Sequence, residues 1–495
     1  MEMIVKEKVL IITGTPPNTV LKLNEMGMMY EPLLLLMSMA GKNTFHSSIP
    51  SLGATVLGTY LKKQGIQVEI ADFYFDTLES YDADIIGISS TFLGMEDVGT
   101  IANSVRERNP KAIIVLGGAL TWSIPPTTLF SVIPNIHYIV QREGEQTFTE
   151  LIKVICDKGD PNSVAGLIFK ENNLLIETPQ RVPMNFQEVP HPDWTLMHIP
   201  STKRFPILPI ETSRGCPYNC AYCSEVSYWG KPVRYSTSDK VVEEIISNAE
   251  NFGITSFRFS DSCFSAPPAR NAEICDAIYE KCIKVGIPVK WSSYARIENL
   301  DETLLGKMKR SGCVALDIGL ESGSIEVLRR MGRGYSPEAA VKASQAAKKV
   351  DILTNFNIVV GFPSETQKTI SDTIELINRA APDTFTTFLF YLAPHTRAYQ
   401  DLKQFELQGD GIFWKHNTMN SGEAAEAMLR IVKEVTNSIS FPAGEHVASY
   451  LASCEYSAAE IRGVFTAINK LVKNRKDEAS ISLINQMNEK IGHLW

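Results

Sequence analysis

The sequence predicts an α/β protein with an N-terminal doubly wound parallel sheet, a central partial β/α barrel and a helical C-terminal region. Short apolar runs alternate with segments of helical periodicity twice along the 495 residues, and residues 400–495 show helical spacing with no clear strand. Apolar runs between helices are typical of parallel strands buried on both faces. At roughly 100–200 residues per domain, we expect domains at 1–158, 206–399 and 400–495, with 159–205 connecting the first two.

The first alternating run predicts the N-terminal sheet. Strand signals lie at residues 8–13, 67–71, 83–89, 112–116 and 137–140, and helical spacing marks residues 51–64, 100–109 and 147–158. This order predicts a Rossmann-like sheet, in which ligands bind beyond the carboxyl ends of the strands. The proline-rich segment 159–205 is expected to wrap between domains, with a small hairpin at 167–169 and 174–177.

The second alternating run predicts the partial barrel. Strand signals lie at residues 207–212, 256–260, 290–294, 314–319, 355–360 and 386–392, and helix signals at 238–251, 269–285, 301–311, 324–331, 337–350 and 366–381. Six strands that alternate with helices predict an open, TIM-like barrel. The active sites of such barrels lie at the carboxyl ends of the strands.

Charge and hydropathy exclude some partners. The formal net charge of −8 gives no electrostatic reason to expect nucleic acid or an anionic membrane as a partner. The N-terminus lacks the apolar length of a signal peptide, and the apolar run at residues 32–40 is far shorter than the ~20 residues that a membrane span needs. We therefore expect a cytoplasmic protein without a membrane span.

Three of the nine cysteines are clustered, in the sequence Cys216-Pro-Tyr-Asn-Cys220-Ala-Tyr-Cys223. Thiolates at this C-x3-C-x2-C spacing can fold around one metal centre, and they favour iron–sulfur clusters or zinc. Three ligands leave one iron of a four-iron cluster open. The other six cysteines are scattered, which is typical of buried free thiols in a reducing compartment.

Two alternatives for the cluster are a zinc site and three unrelated thiols. Structural zinc sites usually take four protein ligands, often as two C-x2-C pairs. The sequence has neither a second pair nor a histidine near Cys216–Cys223. The spacing therefore favours a 4Fe–4S cluster over zinc.

This cysteine spacing, with the aromatic Tyr222 before the last cysteine, resembles the signature of the radical S-adenosylmethionine (SAM) superfamily. The resemblance covers the whole second alternating run. It implies that the open iron binds SAM and that an electron from the cluster cleaves SAM to a 5′-deoxyadenosyl radical. An electron donor such as flavodoxin or ferredoxin is implied as a partner.

Later strand ends match the same family in order and spacing. The resemblance implies the following contacts with SAM: Ser260 and Asp261 near the methionine amine, Glu321 and Ser322 near the ribose and carboxylate, Arg333 in the run that follows, Gly361 and Pro363 at the adenine-side turn, and Tyr222 packed beside the cofactors. Each match alone is weak, because a glycine after a strand is usually only a turn. Together they support one cofactor site.

The N-terminal sheet resembles the cobalamin-binding domain that precedes many radical SAM enzymes. The resemblance implies that the corrin or its nucleotide tail is lined by Ser89, Thr91, Gly117, Gly118 and Thr121. The D-x-H-x-x-G motif that supplies a cobalt-ligating histidine elsewhere is missing, since residues 14–18 read Gly-Thr-Pro-Pro-Asn. Many members of the radical subgroup also lack it. A domain that keeps the fold without binding a corrin is the alternative.

Three further thiols are candidate catalytic residues. Cys263, Cys313 and Cys454 could donate hydrogen to a substrate radical, which would give epimerisation instead of methylation. Each is more simply explained as a small buried apolar residue.

Taken together, the resemblance implies cobalamin-dependent radical methylation of an unactivated carbon in a natural-product, lipid or peptide substrate. In such enzymes the cofactors carry the difficult steps while the protein binds and orients. A radical SAM epimerase, cyclase or rearranging enzyme is the first alternative. A metal-binding protein without catalysis is the second.

Overall fold

The computed structural model of the chain describes residues 7–14, 49–73, 81–91, 93–198, 205–441, 444–473 and 477–492. These residues form two compact units. The N-terminal unit contains the described residues up to Phe205 together with Tyr228–Tyr235. The barrel unit contains Pro206–Ser227 and the described residues from Ser236 onwards.

The elements up to residue 198 alternate as the sequence predicts. They are β1 (Val9–Thr13), α1 (Leu52–Lys63), β2 (Val68–Asp72), β3 (Ile85–Ser89), α2 (Met95–Arg108), β4 (Ile113–Gly117), α3 (Leu120–Ser123), α4 (Pro126–Val132), β5 (Tyr138–Val140), α5 (Gly144–Cys156), β6 (Leu167–Glu171), β7 (Leu174–Glu177) and β8 (Met197–His198). The predicted helix at 100–109 begins five residues earlier, at Met95, because Gly94 and Asp97 form a capping arrangement there.

The sheet of the N-terminal unit has the strand order β7-β6-β5-β4-β3-β1-β2-β8. Strands β1 to β5 and β8 pair in parallel, and β6 and β7 add to β5 as an antiparallel hairpin. All five residues of β1 are buried, as expected of a central strand covered on both faces. The predicted doubly wound sheet is confirmed.

The segment 159–205 does more than connect. The predicted hairpin forms as β6 and β7, and β8 extends the opposite edge of the sheet beside β2. Such short strands are hard to predict in a proline-rich segment. Edge strands tolerate proline, which a central strand excludes, so the usual strand signal is weak there. These described residues belong to the N-terminal unit.

The elements from residue 208 onwards are β9 (Leu208–Ile210), β10 (Ser213–Arg214), α6 (Glu225–Trp229), β11 (Arg234–Tyr235), α7 (Ser238–Phe252), β12 (Ser256–Phe259), α8 (Pro268–Lys281), β13 (Lys290–Arg296), α9 (Glu302–Arg310), β14 (Cys313–Glu321), α10 (Ile325–Met331), α11 (Pro337–Lys349), β15 (Leu353–Val360), α12 (Gln367–Ala380), β16 (Thr384–Leu389), α13 (Arg397–Gln400), β17 (Gln408–Asp410), β18 (Phe413–Lys415), α14 (Ser421–Glu434), β19 (Ile439–Ser440), α15 (Gly444–Ser453), α16 (Ala458–Lys473) and α17 (Glu478–Gly492). Side-chain caps set several helix starts, as where Thr237 accepts a hydrogen bond from the Lys240 amide at the start of α7.

The barrel unit has an all-parallel sheet in the order β19-β16-β15-β14-β13-β12-β9. Six of these strands are those predicted, and the two-residue β19 is the seventh. Helices α9, α11 and α14 pack on this sheet, as in a β/α barrel. The predicted partial barrel is confirmed.

Helix α15 fills part of the concave face. It packs against β13, β14, β15 and β16. Its apolar residues Val447 and Leu451 share a core with Ala315 and Leu353, which lie near the amino ends of their strands. The amino half of the barrel lumen is therefore closed by a helix from the C-terminal region.

The C-terminal region departs from its prediction in two ways. Residues 408–415 form an antiparallel hairpin of β17 and β18, and residues 439–440 join the barrel sheet, although no strand was expected after residue 400. Strands of two or three residues carry too little periodicity to show in a sequence. The chain also does not divide at 399/400, because both sides belong to the barrel unit.

The region where the histidine motif is missing, residues 14–18, lies outside the described residues except for Gly14. None of the helices that the structure describes is long and apolar enough to span a membrane.

Candidate functional site

The cysteine loop follows β9 at the carboxyl end of the barrel strands. Two backbone hydrogen bonds fix its centre: the Ala221 amide donates to the Met331 carbonyl at 2.8 Å, and the Ala398 amide donates to the Ala221 carbonyl at 2.9 Å. The loop is thus held between the end of α10 and the start of α13. Cys220 is buried, while Cys216 and Cys223 are half-buried.

Two buried arginines face the cysteine loop. Arg296 places Nη1 3.2 Å from Cys220 Sγ, and Arg333 places Nη1 4.0 Å from the same sulfur. Cations and N–H donors beside sulfur favour the thiolate and tune the potential of a cluster. Arg296 was not among the residues singled out in the sequence. Its signal is an arginine at the carboxyl end of a predicted barrel strand.

Burial opposes charge on the free thiols. It raises the pKa of Cys216 and of Cys223 above the ordinary thiol value. Loading of a metal centre therefore has to displace protons from these groups. The nearby guanidinium groups offset part of that cost.

Asp261 is fully buried and holds the start of the cysteine loop. Its carboxylate accepts hydrogen bonds from the Thr212 amide at 3.2 Å, from Thr212 Oγ1 at 2.8 Å and from Ser213 Oγ. Burial raises its pKa. The contact of Asp261 with the methionine amine stays a prediction, and in the structure its oxygens accept from the start of the loop. Its neighbour Ser260 is exposed at the end of β12.

Glu321, Ser322 and Arg333 lie together at the end of β14. Glu321 has a φ of +62° and pairs with Arg333 at 3.2 Å, and Arg333 also donates to the Gly319 carbonyl. Ser322 Oγ accepts from the Ser324 amide at 3.2 Å. A left-handed backbone at a non-glycine residue is strained and tends to occur at functional sites. The geometry therefore groups three of the residues expected to contact SAM.

The turn around Gly361 and Pro363 is built from buried groups. Gly361 has a φ of +94°, and a Cβ there would lie 2.4 Å from the Trp414 ring, so only glycine fits. Its amide donates to Glu365, whose pKa burial raises to about 8. Tyr222 meets the ring of Phe362 edge-on, with ring centroids 6.2 Å apart. Tyr222 thereby links the cysteine loop to this turn.

A polar layer crosses the lumen of the barrel above α15. Asp317 accepts from Asn355 Nδ2 at 2.7 Å and from Asn357 Nδ2 at 2.9 Å. Arg258 lies 3.7 Å from Asp317 and pairs with Glu445 of α15. These residues were not predicted as a site, although polar residues at alternate positions in apolar strands are the signal of a lumen-facing row.

The three candidate catalytic thiols separate in the structure. Cys263 is buried beside the loop, with Sγ 3.6 Å from Ser265 Oγ, and burial raises its pKa to about 12. Cys313 begins β14, at the amino end of the strand, and Cys454 follows α15 inside an apolar core. Barrel active sites form at carboxyl ends, so the structure does not bring Cys313 and Cys454 to the site.

The carboxyl edge of the N-terminal sheet is made of small residues. Gly118 has a φ of +95°, and a Cβ there would lie 2.9 Å from the Ser90 amide nitrogen. Thr121 Oγ1 donates to the Gly118 carbonyl at 2.8 Å. Ser89 is half-buried and Thr91 is exposed at the end of β3, next to Gly117 at the end of β4. Such a bare backbone edge admits a large ligand closely.

An aromatic and cationic group lies beside this edge, within the N-terminal unit. Arg142 has a φ of +57° and lies over the Trp122 ring, 4.5 Å from its centroid. Tyr228 donates to the Arg142 carbonyl at 3.3 Å and meets Trp122 edge-on. A shallow recess opens here, lined by Arg142, Glu145, Gln180, Arg181 and Tyr228 among others.

The side chains around the cysteine loop fit the iron–sulfur cluster that the sequence implies. Three thiols with two arginines beside one of them suit an anionic cluster. Among the described residues, no three histidine, cysteine or acidic side chains converge on a single metal ion. A four-iron cluster does not require such convergence, because each thiolate binds a different iron.

Family models match two parts of this chain. Residues 210–377 match the radical SAM superfamily, and residues 40–152 match the B12 binding domain. The chain therefore belongs to the radical SAM enzymes that carry a cobalamin-binding domain, and the resemblance drawn from the sequence is confirmed. The 4Fe–4S cluster, SAM and cobalamin are the cofactors that these two domains imply.

Two relatives illustrate the range of the family. A methyltransferase of Pyrococcus horikoshii, itself uncharacterised, is 28% identical over 71% of this chain and 78% of its own length. An anaerobic magnesium-protoporphyrin IX monomethyl ester cyclase of Rubrivivax gelatinosus is 26% identical over 64% of this chain and 58% of its own length. This chain thus spans little more than half of the cyclase.

A solved structure shares the fold along almost the whole chain. The radical SAM methyltransferase TsrM of Kitasatospora setae, determined with cobalamin and a 4Fe–4S cluster bound, superposes with a TM-score of 0.70. It is 16% identical, and the match covers 95% of this chain and 99% of TsrM. At this identity the likeness shows a common fold, which confirms the predicted architecture.

Proposed function

We propose that this protein is a cobalamin-dependent radical SAM methyltransferase that methylates an unactivated carbon. One observation carries the proposal: this chain combines two sites. The first is a cysteine loop with two arginines beside it at the carboxyl end of the barrel strands, and the second is a bare backbone edge in a B12 binding domain. The methyltransferases among its relatives support this outcome.

In the barrel unit we assign the cluster to Cys216, Cys220 and Cys223. Arg296 and Arg333 donate toward Cys220 and hold negative charge at the loop. SAM would lie against Glu321, Ser322, Arg333 and the Gly361–Pro363 turn, with Ser260 at the exposed end of β12. Asp261 keeps the loop in place and Tyr222 braces the turn.

In the N-terminal unit we assign the corrin or its tail to Ser89, Thr91, Gly117, Gly118 and Thr121. Their short side chains leave backbone groups accessible, so the corrin would contact the protein through shape complementarity rather than through charged side chains. When bound, cobalamin supplies methyl transfer and the cluster supplies the electron that cleaves SAM. The chain's own residues bind, orient and exclude water.

The remaining partners follow from this chemistry. The substrate is a small molecule or peptide, and the reductant is a small redox protein of the flavodoxin or ferredoxin type. The proposed location is the cytoplasm, where reduced thiols and such donors coexist. The acidic net charge gives no reason to propose nucleic acid as a further partner.

Label transfer tests the proposal. Anaerobic protein loaded with iron, sulfide and hydroxocobalamin is given SAM with a deuterated methyl group, a reductant and a candidate substrate pool. Formation of 5′-deoxyadenosine together with a product that carries the deuterated methyl group is expected. Formation of 5′-deoxyadenosine without label in any product would contradict methyl transfer.

The cyclase relative supports the alternative of radical chemistry without methyl transfer. Cys263 is the one candidate hydrogen donor that lies beside the cysteine loop. Deuterium from solvent in an otherwise unchanged product would favour an epimerase, and loss of hydrogen without a methyl group would favour ring formation.

A further inference from the structure

The open half of the barrel lumen carries exposed aromatic rings. Tyr294 on β13 is 40% exposed and Phe388 on β16 is 48% exposed. Tyr294 pairs in register with Asp317, and Phe388 pairs with Val359, two residues beyond Asn357 on the same face of β15. Large apolar side chains left exposed in a concave site are typical of a ligand surface.

The floor beneath these rings is polar and fixed. The Asp317 carboxylate accepts from both Asn355 and Asn357, and Asn355 Oδ1 accepts from Thr384 at 2.9 Å. Asn357 is half-buried, and its amide oxygen accepts from Asn355 Nδ2 at 2.9 Å. A carboxylate held by two amides keeps one orientation and presents oxygen acceptors at a defined depth.

The charge of this floor is negative. One guanidinium, Arg258, faces two carboxylates, Asp317 at 3.7 Å and Glu445. Burial and then the Glu445 charge raise the pKa of Asp317 to about 6, and Arg258 beside it opposes that rise. His446 lies 3.9 Å from Glu445, and burial lowers its pKa, so it adds no charge there.

The arginines nearer the cysteine loop do not offset this charge. Arg296 pairs with Glu298 at 2.6 Å, and Arg333 pairs with Glu321 at 3.2 Å. In the described part of the lumen, each of the arginines named here therefore already faces a carboxylate. A phosphate brought to the floor would meet uncompensated negative charge at low solvent exposure, which is costly.

We infer that the lumen takes a substrate, neutral or cationic, that places N–H donors on the Asp317–Asn357 floor and an apolar ring or chain against Tyr294 and Phe388, and that it discriminates against phosphorylated substrates. This inference rests on the proposed function, because it names the substrate class of that same site.

Binding of three matched probes tests the inference. The probes are 2-phenylethylamine, 3-phenylpropionamide and 2-phenylethyl phosphate, which share one ring and differ in charge. Titration calorimetry on the anaerobic holoenzyme with SAM should show the amine and amide binding at least about tenfold more tightly than the phosphate, the equivalent of one unfavourable charge contact. Equal or tighter binding of the phosphate, or no binding of any probe, would overturn the inference.

Variants locate the preference. Asp317→Asn should reduce the amine-to-phosphate ratio at least about fivefold, and Phe388→Ala should weaken amine and amide alike. Phe413→Ala removes an equally large ring that is 76% exposed at the β17–β18 hairpin and should change neither. If Asp317→Asn does not fold, Asn357→Asp at the half-buried position should raise the amine-to-amide ratio. An unchanged ratio in the folded variant refutes the assignment.

The probe experiment is separable from label transfer. Iron content, cobalt content and labelled product are measured on the same preparation. Probe preference without label transfer would keep this inference and overturn the methyltransferase proposal. Label transfer with a preference for the phosphate probe would do the reverse.

Discussion

The two units present opposite kinds of surface at the carboxyl ends of their strands. In the barrel unit, charged groups crowd around the cysteine loop, and Arg296 and Arg333 each pair with a carboxylate while facing Cys220. In the N-terminal unit, Gly118 has no side chain, and the Thr121 hydroxyl donates to the Gly118 and Val140 carbonyls. The difference fits the proposed assignments, in which a small anionic cluster takes charge and fixed donors and a large ring ligand takes bare backbone.

The largest expected effect separates the two sites by metal. Replacing Cys216, Cys220 and Cys223 together by alanine should lower iron from about four per chain to near zero, because a four-iron cluster loses its protein thiolates. Cobalt should stay at the wild-type level, since its site lies on the other unit. Metal analysis after anaerobic loading measures both. Cys156→Ala, outside the loop, is the control. A fall of cobalt together with iron in the triple variant would contradict the separation of the two sites.

Gly118→Val should have the converse effect. The new Cβ would meet the Ser90 amide at 2.9 Å, and a φ of +95° adds strain of about 1–2 kcal/mol. We expect cobalamin affinity to fall at least about tenfold with iron unchanged. Equilibrium dialysis with hydroxocobalamin provides the measurement.

The matched control is Gly99→Ala on α2, where a Cβ meets nothing within 4 Å. Retention of cobalamin by a folded Gly118→Val variant would show that the small-residue edge is not the corrin contact.

Arg296→Met should shift the cluster without removing it. Loss of the N–H donor at 3.2 Å from Cys220 Sγ removes a charged hydrogen bond worth about 1.5 kcal/mol, or about 60 mV for one electron. The reduction potential should become more negative, because the donor stabilises the more negative reduced cluster. A redox titration followed by electron paramagnetic resonance measures it, with the exposed Arg329→Met as control. An unchanged potential would mean that charge around the loop is structural only.

Glu365→Gln tests, through the pH dependence of stability, whether the Gly361 turn is uncharged. Burial raises the pKa of Glu365 to about 8, so the folded protein keeps its proton while the unfolded chain loses it above the usual carboxyl value of 4.5. The wild-type free energy of unfolding should therefore fall by about 1.4 kcal/mol per pH unit relative to the variant between pH 5 and about 8. Denaturant unfolding across that range measures the difference. For the control Glu426→Gln, on the exposed face of α14, the free energy of unfolding should follow pH as it does in the wild type. The same pH dependence in Glu365→Gln and wild type would contradict the burial argument.

Sequence patterns predicted most strands, the cysteine loop and the Glu321–Arg333 end of β14. They missed the closure of the lumen by α15, because helical spacing shows that a helix has an apolar face but not which surface covers it. They did not show that Asp261 holds the cysteine loop, since a strand-end carboxylate looks the same in sequence whether it serves a ligand or the chain. Arg258, Asp317 and Asn357 could have been found from their alternate spacing in apolar strands.

The most direct test of the central claim is the metal content of the wild-type protein, purified without oxygen and loaded with iron, sulfide and hydroxocobalamin. The account predicts about four irons per chain and stoichiometric cobalt. The triple cysteine variant should lose the iron alone, and Gly118→Val should lose the cobalt alone. Iron without cobalt would contradict it and would leave a radical SAM enzyme whose N-terminal unit keeps the fold of a B12 binding domain but not its ligand.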